Sequence, residues 1–375
     1  MPAQLKKDKL YQMVKSAIFG FVISLVICLL LIKFSKWGGF GVDEIKSGPQ
    51  KFHDKPTPRV GGVGIFMGFA VAVVELYWVA NNKELLLFLL AGVPTFLGGL
   101  VEDLTHKVSP KVRLFLALFA GFFVVWLLKA SVGYIAFPVL GRLDFPLWFS
   151  WIFTIFAIAG VTNSINIIDG YNGLASMVSI MILLGLFYVS YKLNDKLLMQ
   201  LSLILIFSIA GFFIWNFPFG SIFMGDGGAY FVGFSIATIS VLLVDRHRSV
   251  SVWFPFLLVI YPVFETLFSI YRKKFLRGIS PDQPDGLHLH MLIYKRVVKF
   301  LFNESSQQYK VFRNSSTSPF LWFLTGLSVI PAILFWNNTN MLFLFCLIFI
   351  AIYLYLYFSI ATFKTGRFLR FLKGQ

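Results

Sequence analysis

The stretch SAIFGFVISLVICLLLI, residues 16–32, carries no charge and decides the class of the fold. A helix needs about 20 predominantly apolar residues to cross the hydrocarbon core of a bilayer, and this run approaches that length. It is not followed by a small-residue cleavage site, so we expect an uncleaved membrane helix rather than a signal peptide. Composition agrees, because 58% of the residues are hydrophobic and only 13% are charged.

This composition excludes soluble, disordered and disulfide-rich secreted proteins. A mean hydropathy of +0.78 and 45 Phe residues imply more apolar surface than a soluble fold of 375 residues can bury. The two cysteines, Cys28 and Cys346, lie deep inside apolar runs. We expect both to pack in the interior rather than to form a cross-link.

Ten more apolar runs predict an all-α, polytopic integral membrane protein with about 11 transmembrane helices (10–11). The alternation typical of a membrane barrel is absent, so helices must satisfy the backbone. We treat residues 1–375 as a single membrane-embedded domain, with 272–317 as a long loop. The predicted spans are 16–32, 60–80, 85–101, 112–128, 146–166, 174–191, 197–215, 228–244, 251–271, 318–337 and 341–362.

The net charge of +16 follows the predicted topology. Lys and Arg fall about two to one on the side that holds the loop 272–317 and the C-terminal tail. By the positive-inside rule this side is cytoplasmic, which leaves the Lys-rich N-terminal segment outside. The excess of basic over acidic residues is explained by topology and by attraction to anionic membrane lipids. No nucleic-acid partner is expected.

Two acidic motifs lie at span ends on the predicted cytoplasmic side. Within Gly98–Thr105, Glu102 and Asp103 are adjacent carboxylates that repel each other unless a divalent cation binds. Within Phe223–Gly228, Asp226 is flanked by glycines that allow oxygen ligands to converge on Mg²⁺. A solvated helix terminus for the pair, and a helix N-cap for Asp226, are the alternatives.

A third motif, Asn163–Leu174, is rich in amides. Asn163 and Asn166 are three residues apart and share one face of a helix end. Asp169 then enters a turn in which two glycines permit close approach of a ligand, with Asn172 between them. A capped helix–loop–helix turn is the alternative, but several polar groups at a membrane interface are costly unless they hold something polar.

The long loop 272–317 supplies basic residues and two histidines. It opens with a basic cluster that includes Arg277, followed by Ser280, His288 and His290. Without cysteine or a third clustered histidine, a tetrahedral zinc site is disfavoured. Imidazoles beside a basic cluster fit a bound phosphate, although a polybasic patch facing lipid is the alternative.

All four motifs share one predicted membrane face, which also carries Arg59 within Lys55–Gly62. Carboxylates suit Mg²⁺, basic residues suit phosphate, and amides suit a base or sugar. This combination indicates phosphoryl-transfer chemistry at the inner membrane surface.

In this order the motifs resemble those of a known superfamily. They are similar to the polyprenyl-phosphate N-acetylhexosamine-1-phosphate transferases (glycosyltransferase family 4), and above all to the undecaprenyl-phosphate N-acetylglucosamine-1-phosphate transferase branch. The resemblance extends from about residue 53 to 295. It implies that undecaprenyl phosphate displaces UMP from a UDP-N-acetylhexosamine at the bacterial cytoplasmic membrane. The reaction needs Mg²⁺, which Mn²⁺ can replace, and starts a lipid-linked surface glycan such as O-antigen.

The resemblance also assigns roles to individual residues. Asp103 belongs to the acidic pair that assists the attacking phosphate, and the two histidines contact the diphosphate or the loop that holds it. The implied catalytic residues are Glu102, Asp103, Asp169, His288 and His290; the substrate contacts are Arg59, Asn163, Asn166, Asn172, Arg277 and Ser280; and the metal ligands are Asp226 and Asp169.

Two positions depart from the family pattern. Glu102 stands where the family usually has Asp, and Met291 stands where many members have a third histidine. The second departure argues against the phospho-muramoyl-pentapeptide translocase branch, which is the alternative within the family. The sequence is compatible with a homodimer.

A non-catalytic carrier of nucleotide-sugars or lipid phosphates is the alternative from another class. Only Glu75 and Glu265 fall inside predicted spans, each within two turns of a helix end. Snorkelling or a local hydrogen bond explains them without an ion pathway. The carrier interpretation is therefore disfavoured.

Overall fold

The computed structural model describes residues 3–38, 42–43, 57–280, 286–302 and 307–362. Ten helices in this part of the chain are long and apolar enough to cross a membrane, which confirms the all-α multi-pass architecture. The helices are α1 (Ala3–Gly38), α2 (Gly61–Ala80), α3 (Lys83–Thr105), α4 (Pro110–Leu127), α5 (Leu147–Ile168), α6 (Leu174–Lys192), α7 (Lys196–Asn216), α8 (Gly225–Arg246), α9 (Trp253–Leu258), α10 (Ile260–Tyr271), α11 (Leu289–Leu292), α12 (Lys299–Leu301), α13 (Gln307–Leu334) and α14 (Thr339–Ala361).

Two short antiparallel pairs of strands complete the fold. β1 (Val42–Asp43) pairs with β2 (Thr57–Pro58), immediately before α2. β3 (Tyr134–Phe137) and β4 (Gly141–Asp144) form a hairpin between α4 and α5.

The predicted span 251–271 is broken rather than continuous. It consists of α9 and α10, which are interrupted at Val259. Pro262 explains the interruption, because proline has no N–H to donate to the carbonyl of Leu258 and its ring crowds that carbonyl. Within the described residues, the unbroken helices of membrane-spanning length therefore number ten, at the lower end of the predicted range.

The predicted loop 272–317 is also more helical than expected. Its described parts contain π-helical turns at Arg272–Leu276 and Ile293–Val298, and α13 begins at Gln307 instead of near 318. The first turns of α13 are polar because Asn314 and Ser315 bond to neighbouring loops.

Helix α8 is the centre of the bundle. Every residue from Gly225 to Val244 is buried, and α2, α3 and α5 pack around it. At its first turn the packing is backbone against backbone: a Cβ at Gly62 would collide with Gly228, and one at Gly99 would collide with Asp226 and Gly227. Glycine at these two positions lets α2 and α3 reach the start of α8.

The predictions for isolated residues in the spans are confirmed in part. Cys28 and Cys346 are buried free thiols. Glu75 is held by contacts with α1, since Ser16 donates to it and Lys15 Nζ lies 3.2 Å from its Oε1. Glu265 does not snorkel, because its side chain is fully buried and hydrogen-bonded.

Candidate functional site

Asp226 occupies the first turn of α8 and is only 4% exposed. The residue before it, Gly225, adopts a φ of +73°, a left-handed conformation that glycine reaches without strain. This turn directs the Asp226 carboxylate toward the ends of α3, α4 and α5.

Asp103, in the last turn of α3, holds the backbone of this turn. Its Oδ1 accepts a hydrogen bond from Asp226 N at 2.8 Å, and its Oδ2 accepts one from Gly227 N at 2.9 Å. The first N–H groups of a helix have no acceptor within the helix, and the helix dipole favours an anion there. Asp103 therefore acts as an N-terminal cap supplied by a different helix.

Three donors surround the Asp226 carboxylate. Arg59 Nη2 donates to Oδ1 at 2.9 Å, Asn166 Nδ2 donates to the same oxygen at 3.0 Å, and Arg113 pairs with Oδ2. Arg59 Nε also lies 3.7 Å from Asp103 Oδ1. Two guanidinium groups thus balance two buried carboxylates, and with Asn166 these residues come from five separate segments.

Sequence reasoning did not assign a role to Arg113. The feature that could have identified Arg113 is its position, because it is a basic residue inside the predicted span 112–128, where a charge is costly. Arg113 also lies 5.9 Å from the centroid of the Tyr230 ring. The Tyr230 hydroxyl donates to Asn163 Oδ1 at 3.0 Å, so Asn163 joins the cluster through Tyr230.

The Arg59 segment is attached directly to the Asp226 turn. Phe223 N donates to Pro58 O at 2.9 Å, Gly61 N donates to Phe223 O at 2.9 Å, and Gly62 N donates to Met224 O at 2.7 Å. Two motifs more than 160 residues apart therefore form one backbone-bonded unit. Lys55 and Pro56, part of the predicted motif, lie outside the described residues.

Asp169 follows α5 and is partly buried near the same cluster. Burial raises the pKa of its carboxyl to about 7, against the opposing charge of Arg59. Among the described residues, none donates a hydrogen bond to this carboxylate. Asp169 is therefore an acidic group whose oxygens are not committed to the fold.

His288 is held by a buried carboxylate. Its Nδ1 lies 2.9 Å from Glu265 Oε1, which also accepts from Leu289 N at 3.2 Å. Tyr353, on α14, donates to Glu265 Oε2 at 2.8 Å. Glu265 thus fixes the orientation of the His288 ring, and sequence reasoning missed this because the partners are 23 and 88 residues away.

His290 is fully buried beside the loop that carries Asp169. Its ring stacks on His288 with 5.2 Å between centroids, and it meets Tyr171 edge-on at 5.7 Å. A Cβ at Gly170 would lie 3.4 Å from His290 Nε2. The histidine motif therefore packs against the loop 169–173.

Four predicted site residues lie apart from the Asp226 cluster. Asn172 is buried, and its Nδ2 contacts Ser315 Oγ at 3.1 Å while its backbone N donates to Asn314 Oδ1 at 2.8 Å. Glu102 Oε2 accepts from Val108 N at 2.7 Å, so it stabilises the α3–α4 turn. Arg277 and Ser280 are exposed, next to residues 281–285, which are outside the described part.

Some of the oxygen ligands that a hard divalent cation needs are present at this site. Asp226 and the uncommitted Asp169 offer carboxylate oxygens, and the amide oxygen of Asn166 is also of the type that Mg²⁺ prefers. Within the described residues, no group of three His, Cys, Asp or Glu side chains forms a complete metal site. The remaining ligands of such an ion would be phosphate oxygens and water, as is usual for Mg²⁺.

Comparison with known proteins finds transferases whose sequences are similar to the part of the chain that forms this site. The sequence profile of glycosyl transferase family 4 matches residues 85–244. The chain is 27% identical over 280 residues to a probable undecaprenyl-phosphate N-acetylglucosaminyl 1-phosphate transferase of Bacillus subtilis, which covers 73% of this chain and 76% of that protein. The chain is thus similar to glycosyl transferase family 4 across this region, and the resemblance predicted from the motifs is confirmed.

Two further relatives show a similar level of identity. An undecaprenyl-phosphate alpha-N-acetylglucosaminyl 1-phosphate transferase of Thermotoga maritima is 27% identical over 279 residues, covering 74% of this chain and 81% of that protein. A phospho-N-acetylmuramoyl-pentapeptide-transferase of Staphylococcus haemolyticus is 28% identical over 241 residues, covering 60% and 75%. The family match includes Asp103, Asp169 and Asp226, whereas the histidines lie beyond it.

Proposed function

We propose that this protein transfers an N-acetylhexosamine 1-phosphate from a UDP-sugar to undecaprenyl phosphate and releases UMP. The observation that carries the proposal is the Asp226 cluster, in which Arg59, Arg113 and Asn166 converge on one buried carboxylate beside Asp103. The undecaprenyl-phosphate N-acetylglucosaminyl 1-phosphate transferases among the relatives support N-acetylglucosamine as the sugar.

The reaction requires two anions to meet. An oxygen of the lipid phosphate attacks the phosphorus attached to the sugar, a new P–O bond forms, and the bond from that phosphorus to the bridging oxygen breaks. UMP carries away the electron pair of that bond. The second pKa of a phosphate monoester is about 6, so the nucleophile is already ionised at neutral pH. Positioning and charge neutralisation are therefore the main tasks of the protein.

Asp226 and Asp169 would hold Mg²⁺, or Mn²⁺ in its place. The ion supplies Lewis-acid stabilisation of the charge on the diphosphate. Arg59 and Arg113, which pair with the Asp226 carboxylate, would contact phosphate oxygens. His288, oriented by Glu265, would face the nucleotide.

The membrane orientation belongs to the same proposal. The cluster lies at one end of the bundle, where α3 and α5 end and α2, α4 and α8 begin. The basic residues favour this end as the cytoplasmic side of a bacterial cytoplasmic membrane, with the C-terminus on that side. UDP-sugars are then within reach of the site.

The test is a substrate panel with the purified full-length protein in detergent. UDP-N-acetylglucosamine, UDP-N-acetylgalactosamine and UDP-N-acetylmuramoyl-pentapeptide are each supplied with undecaprenyl phosphate and Mg²⁺. We expect lipid-linked product from UDP-N-acetylglucosamine, at least tenfold faster than from the others. Preference for the pentapeptide substrate would assign the protein to the alternative branch. No lipid product from any sugar would favour a carrier.

A further inference from the structure

Arg313 is an arginine near the start of α13 that is only 8% exposed. It lies on the buried stripe of the helix, with Thr317 and Leu321 one and two turns further along. No described residue forms a hydrogen bond or ion pair with its guanidinium group. Its Nε is buried away from solvent and has no hydrogen-bond acceptor. A buried cation in this state is costly unless an anion pairs with it.

The arginines of the Asp226 cluster are in a different state. Arg59 and Arg113 both contact carboxylate oxygens. Arg313 has no such carboxylate among the described residues, although its outer nitrogens are not sealed like Nε. The guanidinium group is therefore available to an anion that enters from outside the fold.

Arg313 lies next to the loop that carries Asp169. The following residue, Asn314, accepts from Asn172 N at 2.8 Å, and Ser318 donates to Asn172 O at 2.6 Å. Asp169 is three residues before Asn172, a separation of at most about 10 Å along an extended chain. The start of α13 is thus attached to one end of the candidate site.

The histidine motif reaches the same loop from another direction. Helix α13 contacts α11 and the π-helical turn at Ile293–Val298. His290, in α11, packs against Gly170. The buried stripe that contains Arg313 and the segment that contains the histidines therefore meet beside the loop 169–173.

We propose that Arg313 binds a phosphoryl group of a substrate. A guanidinium group matches phosphate oxygens with paired N–H donors, and burial strengthens such a contact. Two sources share this chemistry, the diphosphate of the nucleotide-sugar and the phosphate of the polyprenyl lipid. The choice of these two sources rests on the proposed function, whereas the anion site itself rests on the unpaired arginine.

The experiment compares full-length Arg313→Gln and Arg313→Lys with Lys310→Gln. Lys310→Gln is the matched control, because it removes a positive charge one turn earlier on the same helix. Equilibrium dialysis with Mg²⁺ measures binding of UDP-N-acetylglucosamine, and native mass spectrometry measures binding of undecaprenyl phosphate. Melting temperature is recorded for each variant.

We expect Arg313→Gln to weaken one of the two ligands at least tenfold, Arg313→Lys to weaken it less, and the control to stay within twofold. Loss confined to UDP-N-acetylglucosamine identifies the diphosphate, and loss confined to the lipid identifies its phosphate. Unchanged affinities, a lower melting temperature alone, or loss of folding in both variants would overturn the proposal. A wild-type protein that binds these ligands without making product refutes the proposed function and not the anion site.

Discussion

Asp103 and Asp226 are joined through the backbone rather than through their charges. Asp103 Oδ1 accepts the Asp226 N–H at 2.8 Å, and Asp103 Oδ2 accepts the next N–H, from Gly227, at 2.9 Å. Both oxygens of Asp103 are therefore committed to the first turn of α8. This geometry makes Asp103 a positioning residue that fixes where the Asp226 carboxylate lies.

Asp103→Asn should reduce activity at least tenfold and lower the melting temperature, because an amide accepts only with its oxygen and turns an N–H₂ toward a backbone N–H. Hydrogen bonds to charged groups are worth about 1.5–3 kcal/mol each. Glu102→Gln is the control, since Glu102 accepts one hydrogen bond from a surface turn. We expect less than threefold loss of activity for it. Equal losses in the two variants would show that the acidic pair acts as one unit.

Gly62→Ala should prevent α2 from reaching the start of α8, because the added Cβ collides with the backbone of Gly228. We expect a large fall in melting temperature, measured by thermal denaturation of the purified protein. Gly160→Ala is the matched control within α5, since a Cβ there meets no atom within 4 Å. Helix propensity makes that change neutral or stabilising by up to about 1 kcal/mol. Similar melting temperatures for both variants would contradict the close packing.

Glu265→Gln should lower kcat at least tenfold, because a neutral amide no longer orients the His288 ring as the carboxylate does. Tyr353→Phe removes one donor to Glu265 and leaves the carboxylate in place, so its effect should be smaller. Steady-state kinetics of UMP release measures both. If Glu265→Gln alters only the melting temperature and leaves kcat unchanged, the orienting role is wrong.

Asn166 and Asn172 should differ although both belong to the motif 163–174. Asn166→Ala removes a donor to Asp226 and should raise the KM for the UDP-sugar or lower kcat at least fivefold. Asn172→Ala removes contacts to Ser315 and to Pro218 O, so it should lower the melting temperature with little change in KM. If Asn172→Ala changed the KM and Asn166→Ala only lowered the melting temperature, Asn172 would lie in the substrate site.

The sequence predicted the membrane class and the polar face because long apolar runs and sparse charges have few alternatives in a bilayer. The shared metal site of Asp169 and Asp226 was implied by the resemblance of the motifs, and it stays a prediction. It could not predict what Asp103 contacts, because a carboxylate at a helix end looks the same whether it caps a second helix or faces a substrate.

Long-range pairs account for most of the remaining differences. The bond between Glu265 and His288, and that between Glu265 and Tyr353, depend on how α10, α11 and α14 pack. The polar start of α13 looked like loop because its partner, Asn172, is more than 140 residues away. Pro262 was visible, but an apolar run containing proline can either kink or break, and packing decides between them.

The assignment of the reaction to the Asp226 cluster is tested by the yield of UMP and lipid-linked sugar from wild-type protein and from Asp226→Asn. Both are supplied with UDP-N-acetylglucosamine, undecaprenyl phosphate and Mg²⁺. Asp144→Asn is the control, because Asp144 is an exposed carboxylate on β4, in the hairpin outside the Asp226 cluster. We expect equal amounts of UMP and lipid product from wild type and Asp144→Asn, and at least a hundredfold less from folded Asp226→Asn. Near-normal product from Asp226→Asn would contradict the placement of the reaction at this cluster.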